Sequence, residues 1–373
     1  MRLRLSLLLA SIAGSLSKSL LRKSGATIPG KVLLTLYPQA LQALSRGRTI
    51  ILVSGTNGKT STTKALTQII SQLGTTVSNG TGSNLDRGSA SALMQTSKFA
   101  VLEVDELYLA KVIEQTKPVA VLLLNLSRDQ LHRMHEVKKV ADRWRKASEK
   151  AEQTTFVGDV DDPFIAYVLE GAREKIRVSF GGHTHADGAV CPNCGKYLKW
   201  AMANFSCTCG LASRNYDSLQ TAGSAAHRNA VLANVTGSVL NAPTITFQEK
   251  NLERSLTKDF DGRKCSVRLV KNPASWSEAL TTIKSENVIL ILNARQVDGI
   301  DTSWLWDVSF EALRGRNVTV CGERAIDLSY RLHVAGINSV LEKSFDQALA
   351  KYESNQQIEV LAAYTAFFSM VSV

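Results

Sequence analysis

The sequence predicts an α/β protein of two domains, each built on a mainly parallel sheet, the first interrupted by a compact cysteine-bearing insert. Three observations carry that expectation. Short β-branched runs alternate with longer helical stretches along most of the chain. The strand runs are apolar at consecutive positions, so both of their faces need cover, as in a parallel sheet flanked by helices. Four of the six cysteines fall in a stretch at about 183–215 that breaks the alternation. A hydrophobic content of 44% with 21% charged residues excludes wholesale disorder, and 373 residues suffice for two or three cores.

The elements follow in order. In the first series the expected strands are Thr49–Ser54, Thr75–Ser78, Phe99–Val104, Val119–Leu124, Thr154–Val157 and Ile176–Phe180, with helices over Thr60–Leu73 and Val137–Glu152. The pattern pauses around Asn241–Phe247, where Pro243 marks a domain boundary. A second series gives Asn287–Leu292, Asn317–Cys321, Ile337–Leu341 and Ile358–Ala363. The expected organisation is therefore an N-terminal arm over 1–48, a first domain over 49–242 and a second over 243–373.

Charge sharpens the picture of the arm. The net charge of +11 is concentrated: residues 1–48 hold Arg2, Arg4, Lys18, Arg22, Lys23, Lys31, Arg46 and Arg48 and no acid, while the remainder is close to balance. A uniformly basic nucleic-acid coat is disfavoured. Leu5, Leu8, Leu9, Ile12, Leu16 and Leu20 recur at helical spacing, and Lys18, Arg22 and Lys23 supply cations, which predicts a basic amphipathic helix able to lie on an anionic membrane surface through residues 1–24. A secretory signal is the competing reading, since Arg2 and Arg4 precede an apolar run ending in Ala10-Ser-Ile-Ala13. No later run approaches the ~18–20 apolar residues of a spanning helix.

The chemistry starts at Thr49–Thr60, a buried strand that runs into Gly55-Thr-Asn-Gly-Lys-Thr60 with a helix behind it. Gly55 and Gly58 let backbone N–H groups approach an anion closely, Lys59 supplies charge for the β- and γ-phosphates, and Thr60 offers a hydroxyl to Mg²⁺. Gly55, Thr56, Asn57, Gly58, Lys59, Thr60 and Ser61 are thus the expected phosphate-binding set. Val53 stands where the usual loop has its first glycine. A metal-binding acid belongs at the end of a neighbouring strand. Val101-Leu-Glu-Val-Asp105 offers Glu103 there, with Asp105 and Glu106 in reserve and Glu106 expected to be solvated.

Cys191-Pro-Asn-Cys194-Gly and Cys207-Thr-Cys209-Gly form two knuckles about twelve residues apart. Cys191, Cys194, Cys207 and Cys209 suit a tetrahedral structural zinc site, although the second pair is spaced C-x-C rather than C-x₂-C. Disulfides are the alternative, disfavoured in the reducing compartment of an ATP-using enzyme. His183 and His185 are expected at the surface.

The loop Gly55–Ser61 resembles that of the Mur ligase superfamily, ATP-dependent amide-forming enzymes. Later segments agree in order: Asn125-Leu-Ser-Arg-Asp-Gln-Leu-His-Arg133, Asp159-Val-Asp-Asp-Pro163, Asn229 in His227-Arg-Asn-Ala230, and Gly262-Arg263. The resemblance places Asn229 and Arg263 near nucleotide. The cysteine insert, Lys271–Trp276, Asn293–Asp307, Cys321-Gly-Glu-Arg-Ala325 and Tyr364-Thr-Ala366 narrow it to the MurT family, over nearly all of 10–368. Gln130 and His132, and an early C-terminus, depart from the pattern.

That resemblance implies a Mur ligase-type central P-loop ATPase domain with an inserted four-cysteine zinc ribbon, followed by a smaller α/β C-terminal domain. It also implies ATP, Mg²⁺ and structural Zn²⁺ as cofactors. The implied reaction is cytoplasmic: ATP phosphorylates the α-carboxylate of D-glutamate in the lipid II stem peptide, and ammonia converts it to D-isoglutamine. A glutaminase needs a nucleophilic cysteine with a histidine, and outside the zinc set only Cys265 and Cys321 remain, neither with a convincing partner. The resemblance supplies a GatD-like class I glutamine amidotransferase as partner, with an aspartate of the synthetase completing its site. Asp298 is the first choice and Asp301 the second; capping of a turn and helix is the competing role for both. A stand-alone amide ligase and a zinc-ribbon ATPase that binds nucleic acid are the alternatives.

Overall fold

The computed structural model describes residues 2–21, 27–80, 84–128, 136–248 and 255–371. They form two compact units, one from the described residues of Met1–Leu126 and Val137–Glu253, the other from those of Ser127–Glu136 and Arg254–Val373.

The first unit runs α1 (Arg2–Leu21), α2 (Ile28–Leu36), α3 (Ala40–Ser45), β1 (Thr49–Ser54), α4 (Lys59–Ile70), β2 (Thr76–Ser78), α5 (Asp86–Leu93), β3 (Phe99–Glu103), α6 (Leu109–Thr116), β4 (Ala120–Leu123), α7 (Val137–Lys150), β5 (Thr155–Asp159), α8 (Pro163–Leu169), β6 (Glu174–Ser179), β7 (Lys199–Ala201), β8 (Asn204–Ser206), β9 (Ser218–Leu219) and α9 (Ala225–Ser238). Its main sheet has the order β2-β3-β1-β4-β5-β6-β9, every pair parallel. β1 is central, with β3 on one side and β4 on the other, so the chain order reverses there and a crevice opens beyond its carboxyl end. The continuous apolar runs of β1, β3 and β4 are buried along their length, which their two-faced cover requires. Helices α4 and α9 cover one face together. Gly237 permits their close approach, because a Cβ there would meet Ile69 Cγ2 at 2.6 Å.

The arm is three helices. α1 packs on α2, and α2 on α5, where a Cβ at Gly30 would lie 1.8 Å from the Arg87 carbonyl oxygen. The inner face of α1 is small: Ser6, Ala10 and Ser17 are buried, and a Cβ on Gly14 would meet Pro29 at 2.6 Å. Leu5, Leu8, Leu9, Ile12 and Leu16 are exposed on its other side. The helix thus presents a small-residue side to the protein and a leucine-rich side away from it; the cations expected to form its basic face, Lys18, Arg22 and Lys23, have no described side chains. The side chains of Lys18 and Leu20, and residues 22–24, fall outside the described set. Among the described residues no helix is long and apolar enough to cross a membrane.

The second unit contains β10 (Ser255–Phe260), β11 (Arg263–Leu269), α10 (Pro273–Thr281), β12 (Asn287–Ile291), β13 (Asn317–Cys321), α11 (Ala325–Val334), β14 (Ser339–Leu341), α12 (Phe345–Leu349), β15 (Gln357–Ala362) and α13 (Tyr364–Val371), with two 3₁₀ turns at Ser303–Asp307 and Phe310–Leu313. The order β10-β11-β15-β12-β13-β14 is parallel except for the β10–β11 hairpin. That hairpin turns on Asp261 (φ 50°) and Gly262 (φ 75°), two left-handed residues as a tight two-residue turn demands. α10 starts on a capping box between Asn272 and Ser275 with Pro273 in its first turn. Trp276, Trp304 and Phe310 meet in the core on one face of the sheet.

Candidate functional site

The phosphate loop sits in the crevice beyond β1. Gly55 (φ 147°) and Gly58 (φ 82°) hold backbone shapes that L side chains avoid. Space requires glycine as well. A Cβ on Gly55 would lie 2.9 Å from Leu124 Cβ, and one on Gly58 would lie 2.2 Å from Asn229 Nδ2. The structure thus brings Asn229, on α9, directly onto the loop. Asn125 clamps the loop from the end of β4: its carbonyl accepts from Thr56 N (2.9 Å), its Oδ1 accepts from Asn57 N (2.9 Å), and its Nδ2 donates to the Asn57 carbonyl (3.0 Å). Lys59, Thr60 and Ser61 form the first turn of α4, whose positive end faces the loop.

Lys59 is buried. Its Nζ donates to the Gly55 and Thr56 carbonyls and stands 3.1 Å from Glu106 Oε1. Glu106 is buried too, with its carbonyl accepting from Trp144 Nε1. The expectation of a solvated Glu106 is thereby corrected: α4 and the end of β3 bring it to the loop lysine, and a buried carboxylate needs such a partner. Glu103 ends β3 level with Val53, and Asn79 brackets its backbone, accepting from Glu103 N (2.7 Å) and donating to Glu103 O (2.8 Å). Asp105 accepts from Leu107 N.

Beside the loop, at the end of β5, three acids divide their work. Asp162 caps α8 through Phe164 N and Ile165 N, accepts from Leu126 N, and pairs with His185 Nε2 at 3.3 Å. Burial resists the charge on both partners, but their mutual attraction prevails, lowering the Asp162 pKa and raising that of His185. His185 is therefore enclosed rather than at the surface. His183 is half-buried, and burial followed by the Arg228 charge lowers its pKa to about 4. Asp161 accepts from Ser179 Oγ, Phe180 N and Gly182 N. Burial, then the charge of Asp161, raises the Asp159 pKa. Asp159, Asp161 and His183 could reach one cation, but Asp161 already accepts three hydrogen bonds and Arg228 lies 4.0 Å from Asp159.

The insert brings its four cysteines together. All four Sγ atoms lie within 4.8 Å of one another, with Cys191–Cys209 at 3.7 Å and Cys194–Cys207 at 3.4 Å, and none is disulfide-bonded. Ligands about 2.3 Å from a tetrahedral zinc would be ~3.8 Å apart, so the set fits such an ion. Each knuckle closes on a left-handed glycine: Gly195 N donates to Cys191 O and Gly210 N to Cys207 O. The Cys209 pKa falls to about 6 because Leu211 N–H and the Asn193 side chain favour its thiolate, whereas burial pushes Cys191 up to about 12.

In the second unit, Asp298 is only 9% exposed and has both oxygens engaged: Oδ1 accepts from Thr365 N (2.7 Å), and Oδ2 from Thr365 Oγ1 (2.8 Å) and Arg295 N (3.1 Å). It ties the loop after β12 to the start of α13. Asp301 is half-buried and accepts from Ser303 N (2.9 Å). Arg263 opens β11, with its guanidinium donating to the Tyr352 and Asp261 carbonyls. Cys265 and Cys321 are fully buried, which pushes their thiols up to about 11 and 12.

Residues 53–234 match the Mur ligase middle domain, and residues 269–367 match the MurT ligase C-terminal family. Over 92% of its length the chain is 26% identical to the lipid II isoglutaminyl synthase (glutamine-hydrolyzing) subunit MurT of Streptococcus pneumoniae, covering 90% of that protein. The subunit of the same name from Staphylococcus aureus is also 26% identical over 92% of the chain, with 91% of that protein covered. The chain belongs to the MurT family.

The fold of this MurT-family chain is also that of solved Mur-type ligases. A pseudomurein peptide ligase type C from Methanothermus fervidus has a TM-score of 0.64 at 16% identity, covering 87% of this chain and 79% of that one. The MurF ligase from Thermotoga maritima, in complex with ADP, has a TM-score of 0.62 at 15% identity, covering 91% and 81%. Of the residues named from sequence, Gly55–Ser61, Asn229 and Glu103 gather at one crevice, and the four cysteines gather in the insert. Arg263, Asp298 and Asp301 belong to the second unit. Asn125 and Asn79 carry no site role in the sequence reading, and Glu106 stands there only as a reserve acid. Asn125 is part of the quoted motif, and Asn79 stands at a strand end before Gly80, where a side-chain amide readily brackets neighbouring backbone. Within the Asn125–Arg133 motif, positions 129–133 lie outside the described residues.

Proposed function

We propose that the chain is the ATP-dependent synthetase subunit that amidates the α-carboxylate of D-glutamate in the lipid II stem peptide. The observation that carries the reading is the asparagine-clamped phosphate loop, set in a chain that matches, over both units, subunits named for this synthase. In this reading a carboxylate oxygen of the substrate attacks the γ-phosphorus of ATP, the bond from that phosphorus to the β–γ bridging oxygen breaks, and ADP leaves. Ammonia then attacks the acyl carbon, the C–O bond to phosphate breaks, and loss of a proton leaves the amide. Lys59 leaves Glu106 for the incoming phosphates, and the N–H groups of the Gly55–Thr60 loop and the start of α4 bind them. Thr60 and Glu103 are the residues to hold Mg²⁺, which supplies charge compensation at the transferred phosphoryl group. Asn229 and Arg263 are assigned to nucleotide. Cys191, Cys194, Cys207 and Cys209 are assigned to a structural Zn²⁺ that fixes the insert, whose four thiolates leave no open position.

Ammonia is assigned to a separate GatD-like class I glutamine amidotransferase, because Cys265 and Cys321 are core thiols held protonated by burial. An aspartate of the second unit is assigned to complete that partner's site. The enclosure of Asp298 supports Asp301 for this role and a structural one for Asp298. Exposed Val297 and Ile300 on the same loop, with Trp306 edge-on to Tyr330 beyond it, support a subunit contact there. Work on a lipid-linked substrate is assigned to the cytoplasmic face of the membrane. The test is co-expression with a glutaminase of that class and mass spectrometry of lipid II. Conversion that requires both glutamine and ATP is expected; conversion that is never seen, or that proceeds with an amino acid as the amine, refutes the reading.

A further inference from the structure

Helix α1 is built in a way its packing does not explain. It joins the protein through its small side: Ser6, Ala10 and Ser17 are buried, and Gly14 lies so close to Pro29 that no Cβ fits. Among the described residues, the half-buried Leu3 and Leu7 also pack on the neighbouring cluster. This contact leaves Leu5, Leu8, Leu9, Ile12 and Leu16 facing away, each between 42% and 58% exposed. On a helix of 3.6 residues per turn, Leu5, Leu9, Ile12 and Leu16 form one stripe with Leu8 beside it, and the exposed Arg2 and Arg4 fall on its two edges. Five large apolar side chains on an exposed helix face belong to none of the buried clusters of the unit, and a contiguous exposed patch of this kind marks an interaction surface.

Charge narrows the occupant. The 48 residues that contain α1–α3 hold eight cations and no acid, a charge that complements an anionic surface. A helix that is too short of apolar residues to span a bilayer, but presents a leucine stripe edged by arginine, suits the boundary between headgroups and acyl chains. We propose that α1 is an interfacial docking helix for anionic phospholipid. Its small-residue face fixes it to the catalytic unit, while Leu5, Leu8, Leu9, Ile12 and Leu16 enter the acyl boundary and Arg2 and Arg4 meet phosphate headgroups. The surface argument stands on α1 alone. It deepens the membrane-facing location given to the reaction, which rests on the lipid II reading.

The experiment is sedimentation of the full chain with vesicles of phosphatidylcholine alone or with phosphatidylglycerol. Wild type is expected to sediment with the anionic vesicles and to be released by high salt. Leu5→Asn with Leu9→Asn and Ile12→Asn should weaken binding at least tenfold, while Arg2→Gln with Arg4→Gln weakens it mainly at low salt. ADP binding is measured on every variant to show that the phosphate loop stays folded. Absence of wild-type binding, or binding unchanged by the leucine replacements, overturns the proposal. So does a wild-type dimer in solution that the same replacements dissolve, since the stripe would then be covered by a second copy. Amidation of a short-chain, detergent-dispersed substrate separates the two readings: if it persists without vesicle binding, only the docking helix fails, and if vesicle binding is seen without amidation, only the lipid II reading fails.

Discussion

The two aspartates of the loop after β12 make the sharpest test, because the structure gives them different work. Asp298→Asn changes one oxygen to an amide N–H₂. The carboxylate accepts from Thr365 N and, on its other oxygen, from Thr365 Oγ1 and Arg295 N. Whichever way the amide is turned, its donor faces a backbone N–H, so at least one buried donor loses its acceptor. An unmet buried donor costs about 1–3 kcal/mol, and loss of charge assistance on the others adds to it, so a total of roughly 2–4 kcal/mol is expected. For a unit of this size about 4 °C of melting temperature accompanies each kcal/mol, so the second unit should melt about 8–16 °C lower. Asp301→Asn keeps an oxygen for Ser303 N, and asparagine caps as well as aspartate, so its loss of stability should be smaller than that of Asp298→Asn. The paired assay is glutamine hydrolysis by the complex at a temperature where both variants are folded. Asp301→Asn is expected to abolish it, and Asp298→Asn to retain most of it. A wild-type melt for Asp298→Asn would refute the reasoning from the saturated carboxylate, and full hydrolysis with Asp301→Asn would remove that residue from the partner's site.

Gly58→Ala puts a Cβ 2.2 Å from Asn229 Nδ2 at a φ of 82°, and the left-handed shape alone costs about 1–2 kcal/mol; calorimetric titration should show ADP affinity at least tenfold weaker. Glu106→Gln removes the counter-charge of buried Lys59, so the nucleotide-free melt should fall by up to about 3 kcal/mol while ADP binds more tightly; weaker ADP binding would instead give Glu106 a direct nucleotide role. Elemental analysis should find about one zinc per chain, lost in Cys207→Ser with unfolding of the insert and little change in ADP affinity. The Asp162–His185 pair sets a pH window. His185 has a raised pKa, so its contribution is complete below its ordinary 6.5 and lost as pH rises through the raised value; Asp162 has a lowered one, so its contribution is present above its ordinary 3.8 and lost as pH falls through the lowered value. The stability advantage of wild type over His185→Gln should therefore be greatest between those two pH values and shrink above them, and a flat difference from pH 4 to 9 would show the pair to be uncharged.

What could be read from the sequence was what local order dictates. Thr49–Ser54 and Asn317–Cys321 appear with the bounds their apolar runs gave, and the helix behind the phosphate loop starts at Lys59, one residue before expected, because Gly58 takes the left-handed turn that ends the loop. The glycine loop, the acid at the end of β3 and the four cysteines were legible because each depends on spacing along a single segment or on one neighbouring strand. The hairpin of β10 and β11 escapes a reading based on apolar runs although Asp261-Gly262 is its ordinary signal, since no long run flanks it: β10 alternates exposed and half-buried residues at the sheet edge.

The residues missed are those whose roles arise only when distant segments meet. Glu106 follows Asp105 in an acidic stretch that looks solvated, and only the folding of β3 against α4 turns it onto Lys59. His185 looks like one of two surface histidines until α8 delivers Asp162 beneath it. The same holds for α1, where the leucine spacing shows that a stripe exists but not which way it faces. Its direction is decided by Ser6, Ala10, Gly14 and Ser17, which recur at helical spacing too and let the backbones of α1 and α2 approach more closely than leucines could. In α1, which carries both a small-residue stripe and a leucine stripe, the close-packing side is the small one. The leucines are then available for something other than the core, and here they belong to an acid-free segment of the chain.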